Sequence, residues 1–213
     1  MDKLLLRGFI DVNCYFLRDG NDCYIIDPGY EKERIIGYVA REGLNVLGIL
    51  LTHAHIDHIG AIDCFPVPVY LHEEEYQVLI DNHKNGSDFS DHGPGFDLND
   101  INIVKLKDED TIQFGSNTIK VIHTPGHTIG SVCYGIGHDL YTGDTIFKGT
   151  VGRWDLPTGS QEDLRMSILR LVDSQDGSIN IYPGHGDSST IKEEKDQNPY
   201  YHSWKIGIQG EYQ

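Results

Sequence analysis

The segment THAHIDHIG, residues 52–60, sets His53, His55, Asp57 and His58 within six consecutive positions directly behind an apolar run. Imidazole nitrogens and carboxylate oxygens are the donors that hold zinc, manganese or iron. Three neutral imidazoles and a carboxylate are costly to bury together without an ion, so metal chemistry is the first reading of this segment. Three more turns share its make-up: TPGHTIG (124–130) with His127, YTGDTIF (141–147) with Asp144, and YPGHG (182–186) with His185. In each, the polar residue stands beside or near a glycine, which lets the backbone bend sharply and approach closely. Five histidines and two aspartates exceed the needs of one tetrahedral ion and suit two ions sharing a bridging carboxylate. His72, His83, His92, His138 and His202 lie outside these turns and read as surface or core residues, and His123 as a supporting or core residue.

The elements that must position these turns are legible in the pattern around them. FIDVNCYFLR and DCYIIDPG read as a hairpin turning at Asp19-Gly20-Asn21. EKERIIGYVAREG (31–43) reads as an amphipathic helix with Ile35, Ile36, Val39 and Ala40 on its apolar side and Gly43 as its stop. VLGILLTH then reads as a buried strand, which places the histidine cluster at the carboxyl end of a core strand, where open sheets present ligands. PVPVYLH is a further strand, EEEYQVLIDNHK a helix, and SDFSDHGPGFDLND (87–100) a loop of the kind used as a lid or binding loop. The second half gives strands at INIVKLK, DTIQFGSNTIKVIHT, SVCYGIG, HDLYTGD and INIYPGHG, with a helix at QEDLRMSILRLVD. Two such halves imply an α/β sandwich of two sheets with outer helices and one site between the sheets, in a single domain over residues 1–213.

Composition narrows the function classes. A formal charge of -16 argues against nucleic acid as a partner, since phosphate binding calls for a basic stripe. No window reaches the roughly 20 apolar residues of a membrane span, and the N-terminus lacks a signal-peptide cleavage pattern. Cys14, Cys23, Cys64 and Cys133 are widely spaced, as reduced thiols would be. The expectation is a cytoplasmic protein with a small-molecule substrate, no membrane and no nucleic acid, and with its oligomeric state left open.

These motifs resemble those of the metallo-β-lactamase superfamily, and most closely its glyoxalase II (hydroxyacylglutathione hydrolase)-type branch, over roughly residues 9–195. The HxHxDH signature stands here as His53, His55, Asp57 and His58. The resemblance implies a four-layer αββα sandwich with two mixed sheets. It implies one metal held by His53, His55 and His127, a second held by Asp57, His58 and His185, and Asp144 bridging both. The two divalent ions are expected to be zinc, with iron or manganese as alternatives. β-Lactamases proper usually carry a cysteine where Asp144 stands, which favours the thioesterase-like branch. FKGTVGRWDLPTGS (147–160) is similar to the stretch that follows the bridging aspartate in that branch. Within it Arg153 is the candidate substrate-binding residue: it would either fix this loop through a carboxylate pair or receive an anionic substrate group. The C-terminal helical domain that supplies much of the glutathione contact in full-length glyoxalase II has no counterpart after EEKDQNPYYHSWKIG, so the resemblance reaches hydrolysis more firmly than glutathione recognition.

The expected activity is therefore hydrolysis of a small thioester, of the S-lactoylglutathione kind, by a metal-bridging hydroxide with Asp57 as general base. The alternatives are a persulfide dioxygenase using one iron on His53, His127 and Asp144, a lactonase, and a module whose metal only stabilises the fold.

Overall fold

The computed structural model describes residues 2–89 and 97–210. Strands β1 (Asp2–Leu6), β2 (Val12–Asp19), β3 (Asp22–Ile26), β4 (Asn45–Leu50), β5 (Val69–His72) and β6 (Ile103–Leu106) form one six-stranded sheet in that order. Strands β1 to β3 pair antiparallel, and β3 to β6 run parallel. Strands β7 (Thr111–Phe114), β8 (Asn117–His123), β9 (Val132–Ile136) and β10 (Asp139–Gly143) belong to a second sheet, with a small hairpin of β11 (Ile146–Phe147) and β12 (Thr150–Val151) beside it. Adding β13 (Asn180–Pro183) and β14 (Ser189–Thr190) completes the second sheet in the order β14-β13-β10-β9-β8-β7.

Side chains alternate between the faces of a strand, and here both faces are apolar. Cys14 and Phe16 of β2 join one buried cluster while Tyr15 and Leu17 join another; in the second sheet, Val132 and Tyr134 of β9 face the same inner cluster as Tyr15, and Cys133 faces away. Helix α1 (Lys32–Glu42) covers the outer face of the first sheet through Ile35 and Val39, and α2 (Ile56–Ile59) and α3 (Tyr76–Leu79) add Ile59, Val78 and Leu79 to that cluster. Helix α4 (Gln161–Ser174) covers the second sheet through Leu164, Ile168, Leu171 and Val172, a set spaced to share one helical face. The layers run helix, sheet, sheet, helix, with mixed sheets, as the sequence leads one to expect. All four cysteines are buried and free. Among the described residues no helix is long and apolar enough to cross a membrane.

Three local expectations need correction. In α1 only Ile35 and Val39 are buried, and Ile36 is 38% exposed, because residues one position on are rotated about 100° around the helix. Gly43 does end this helix in a left-handed conformation, φ 64°, its N–H reaching back to Val39 and Ala40. The helix expected over residues 73–84 is a 3-10 turn at Glu73–Glu75 followed by α3 alone. There the side chains of Asp81 and Asn85 take over the backbone partners, Asp81 accepting from the His83 and Lys84 amides and Asn85 donating to the Leu79 carbonyl. Helices α5 (Ile191–Gln197) and α6 (Pro199–Gly210) have no counterpart in the expected elements, and they seal the outer cluster with Ile191 and Tyr201. Of the expected loop over 87–100, residues 90–96 lie outside the described residues, and its flanks hold 3-10 turns at Ser87–Phe89 and Leu98–Asp100.

The topology decides where the polar turns go. Strand β13 is parallel to β10, and β9 is antiparallel to both β10 and β8, so β8, β10 and β13 all point one way and end at one edge. The end of β4 meets that edge, with the Val132 amide donating to the Thr52 carbonyl. The buried Tyr134 hydroxyl crosses from the second sheet to the Leu51 carbonyl at 2.9 Å. Replacing it leaves that carbonyl without its donor, so Tyr134→Phe should lower stability by about 1–3 kcal/mol. Urea denaturation of metal-free protein checks this, and an unchanged midpoint would show that this bond does not hold the sheets together.

Candidate metal centre

Four strand ends deliver the polar turns. His53, His55, Asp57 and His58 follow β4, His127 follows β8, Asp144 follows β10, and His185 follows β13. The structure brings all seven together. His53, His55 and His127 form one group of donors whose atoms lie within 4.8 Å of one another; Asp57, His58 and His185 form a second, and His53, His58 and Asp144 an overlapping third. Asp144 stands between the groups, with Oδ2 3.6 Å from His127 Nε2 and 3.3 Å from His185 Nε2, and Oδ1 3.5 Å from His58 Nε2. Asp57 Oδ2 lies 3.2 Å from His185 Nε2.

The outer side of four of the five rings is tied to oxygen, and that assigns its proton. His127 Nδ1 meets the Arg153 carbonyl at 2.7 Å, His185 Nδ1 the Asp11 carbonyl at 2.7 Å, and His58 Nδ1 the Asp27 carboxylate at 2.9 Å. The Thr52 hydroxyl donates to Asp27 and so accepts from His53 Nδ1 at 3.1 Å. Each of these four rings therefore aims an Nε2 lone pair inward when neutral. Those inward atoms crowd one another: His53 and His127 Nε2 are 3.2 Å apart and His58 and His185 Nε2 3.3 Å, while His55 Nδ1, on a ring that no oxygen orients, is 2.9 Å from His127 Nε2. Buried Asp144 Oδ1 and His55 Nε2 have no hydrogen-bond partner. Opposed lone pairs and an orphaned carboxylate oxygen are what a donor set shows when its natural partner is a cation, so the residues fit divalent metal.

The electrostatics agree. Burial, reinforced by the neighbouring histidines, holds His53 well below the usual imidazole range and His55 down to about 3, so both are neutral donors. Burial also lowers His127, against the pull of Asp144. In the second group, burial works to lower His185 but Asp144 and Asp57 overcome it and push it up to about 10. His58 is likewise raised against burial, by Asp57, Asp144 and Asp27. Burial raises Asp57 and Asp144, yet the same histidines bring both below the usual carboxylate value. The carboxylates of the second group thus create a place that favours positive charge.

Several supporting residues carry no motif. Asp27, at the end of β3, accepts from the Thr52 amide and hydroxyl as well as from His58. Asn13 of β2 donates to the Pro183 and Gly186 carbonyls, bracing the His185 turn from the other sheet. Glu75, fully buried, accepts from the Ala54 and Gly130 amides and the Thr128 hydroxyl. The glycine beside His185 has a steric reason: a Cβ on Gly184 would lie 2.4 Å from Asp144 Oδ1. Arg153 lines the cavity, and its guanidinium forms a two-pronged pair with Asp155 at 2.8 and 2.9 Å. The cavity, about 900 Å³, opens over Asp57, Asp144 and His185 between the apolar side chains of Phe9, Phe147 and Leu156. His72, Glu74 and His123 make a separate group, but the two rings stack 3.8 Å apart at 13°, so their in-plane lone pairs do not converge.

A model of the metallo-beta-lactamase superfamily matches residues 7–185, a span that holds every one of these donors. The chain belongs to the metallo-beta-lactamase superfamily. Among superfamily relatives, a probable metallo-hydrolase of Bacillus subtilis, YqgX, is 36% identical over 93% of this chain and 96% of its own length. The hydroxyacylglutathione hydrolase GloC of Haemophilus influenzae is 32% identical over 90% of this chain and 93% of its own. Two crystal structures superpose closely. BLEG-1, a B3 metallo-beta-lactamase, has a TM-score of 0.82 at 37% identity, covering 94% of this chain and 98% of its own. TTHA1623 in a di-iron-bound form has a TM-score of 0.79 at 32% identity, covering 94% and 100%. The superfamily binds divalent metals, and the groups above are this member's candidate ligands. Because Asp144 reaches both groups, Asp144→Ala should cut zinc retained after gel filtration from about two equivalents to one or fewer. Two equivalents retained, by elemental analysis, would remove Asp144 from the ligand set.

Proposed function

We propose that this protein is a dinuclear metal-dependent hydrolase that cleaves a small thioester. The observation that carries the reading is Asp144 set between two donor groups, within 3.6 Å of His127 and 3.3 Å of His185. His53, His55 and His127 would hold one ion and Asp57, His58 and His185 the other, with Asp144 in reach of both groups. When bound, divalent ions such as zinc, or alternatively iron or manganese, supply an acidified water and an electrophilic contact for an acyl oxygen.

The chain's own groups supply the rest. Asp57 lines the cavity beside His185 and is the carboxylate placed to accept a proton from the attacking water. The carbonyl of Arg153 and the carboxylate of Asp27 keep the Nε2 atoms of His127 and His58 aimed inward through the cycle. Phe9, Phe147 and Leu156 give an apolar wall suited to an acyl chain and its sulfur. The two-pronged pair with Asp155 gives the Arg153 guanidinium a carboxylate partner within its own loop, in keeping with a loop-fixing role. The GloC relative, a hydroxyacylglutathione hydrolase, supports the thioester class, and the di-iron form of TTHA1623 supports two ions. BLEG-1 raises beta-lactam hydrolysis as a second reading.

A panel of S-lactoylglutathione, simpler acyl thioesters, lactones, glutathione persulfide and a chromogenic cephalosporin, run on metal-quantified protein, tests the proposal. Thioester turnover should exceed the other reactions and disappear on dialysis against a chelator. One bound iron with oxygen uptake and no thioester cleavage would replace it with the dioxygenase reading, and cephalosporin turnover alone with the lactamase one.

A further inference from the structure

Glu75 is a fully buried carboxylate that touches no member of the donor groups, yet its bonds end on both chain segments that build the first of them. Its Oε1 accepts the Ala54 amide at 2.8 Å, and Ala54 is the single residue between His53 and His55. Its Oε2 accepts the Thr128 hydroxyl at 2.8 Å and the Gly130 amide at 2.9 Å, and Thr128 directly follows His127. Among the described residues its hydrogen-bond partners are two amides and a hydroxyl, with no cation to offset burial of the charge.

A buried carboxylate without a counter-ion is costly as a fold stabiliser, and an apolar side chain of similar size fills such space more cheaply. What a carboxyl group alone offers is acceptor capacity on two oxygens, so it can take donors from two loops at once; burial pushes it up to about 7, while the Ala54, Thr128 and Gly130 donors favour the ionised form. A glutamine at the same place would turn an NH₂ group toward one of those loops. The packing around it is equally committed, since a Cβ on Gly130 would fall 2.3 Å from the Glu75 amide nitrogen. None of the three bonds reaches the turns that carry Asp144 or His185.

We infer that Glu75 is a positioning residue for the first metal position: by clamping the Ala54 peptide to the Thr128–Gly130 turn it fixes the separation of His53 and His55 from His127, and so sets the affinity of that position without setting that of the second. The inference rests on the assignment of His53, His55 and His127 as one ligand group, and it is independent of which substrate is cleaved. Partners that orient metal ligands typically change affinity by about 10–100-fold when removed.

The test is zinc titration of metal-free protein in competition with a chromophoric chelator, with no substrate present. In a His185→Ala background, where only the first group is complete, Glu75→Gln should weaken the remaining site by about 10–100-fold. In a His127→Ala background, where only the second group is complete, the same change should leave zinc affinity unaltered. Thr128→Val, which deletes one donor and keeps the carboxylate, should weaken the first site by a smaller factor, and it decides the matter if Glu75→Gln does not fold. Unchanged first-site affinity, even with a lowered melting temperature, or equal weakening in both backgrounds, would overturn the inference and leave Glu75 a fold residue. A wild type that binds two zinc ions but cleaves no thioester would retire the substrate proposal and leave this one standing.

Discussion

Imidazole nitrogens crowded within 2.9 to 3.3 Å of one another, on rings that are mostly buried, are the constraint to which the rest of this structure answers. Left to themselves such rings would rotate apart or take up protons, and two of them do sit in surroundings that favour the protonated form. They are kept in place from behind. Asp27, Thr52, the Arg153 carbonyl and the Asp11 carbonyl each grip an Nδ1, and every one of these anchors is itself held by strand ends or turns. Removing an anchor frees a ring to relieve the repulsion, so the anchoring shell matters as much to metal binding as the donors do.

That demand explains the topology. Turns are precise only when their ends are fixed, and three of them hang from strands that run the same way in one sheet, so they share a rim. The fourth comes from β4, whose side chains Ile49 and Leu50 go to separate cores on the two faces of the first sheet. Burial on both faces leaves little freedom of register, because a slip by one residue would exchange the two sets. A stiff frame with short polar turns at one rim is the arrangement that tolerates an energetically awkward cluster.

Much of this could be read from the chain. The seven donors announce themselves because each follows an apolar run and sits near a glycine, and the glycines have local steric causes, as Gly184 against Asp144 shows. The sandwich was legible because strand alternation and the period of QEDLRMSILRLVD are local signals. What the chain hid is non-local. Asp27 looks like any aspartate before a Pro-Gly turn, Asn13 like a strand residue, and Glu75 like one of three acidic residues on a helix, since their partners lie far away in sequence. The same blindness shortened the helix over 73–84, where Asn85 reaches back to Leu79. Helices α5 and α6 give no clear helical signal, because α5 carries one apolar residue, Ile191, and α6 begins at Pro199 and is interrupted by Gly207.

The two donor groups have one further property in common. Each takes residues from the first sheet, His53 and His55 or Asp57 and His58, and completes itself with a histidine from the second, His127 or His185. An ion held by either group therefore spans the seam between the sheets and acts as a removable cross-link, closing a loop of chain that the Tyr134 to Leu51 bond alone would otherwise pin nearby. Binding energy spent there is folding energy as well. The sandwich is in this sense a hinge-less clasp, whose tightness at the rim follows the free metal concentration around it.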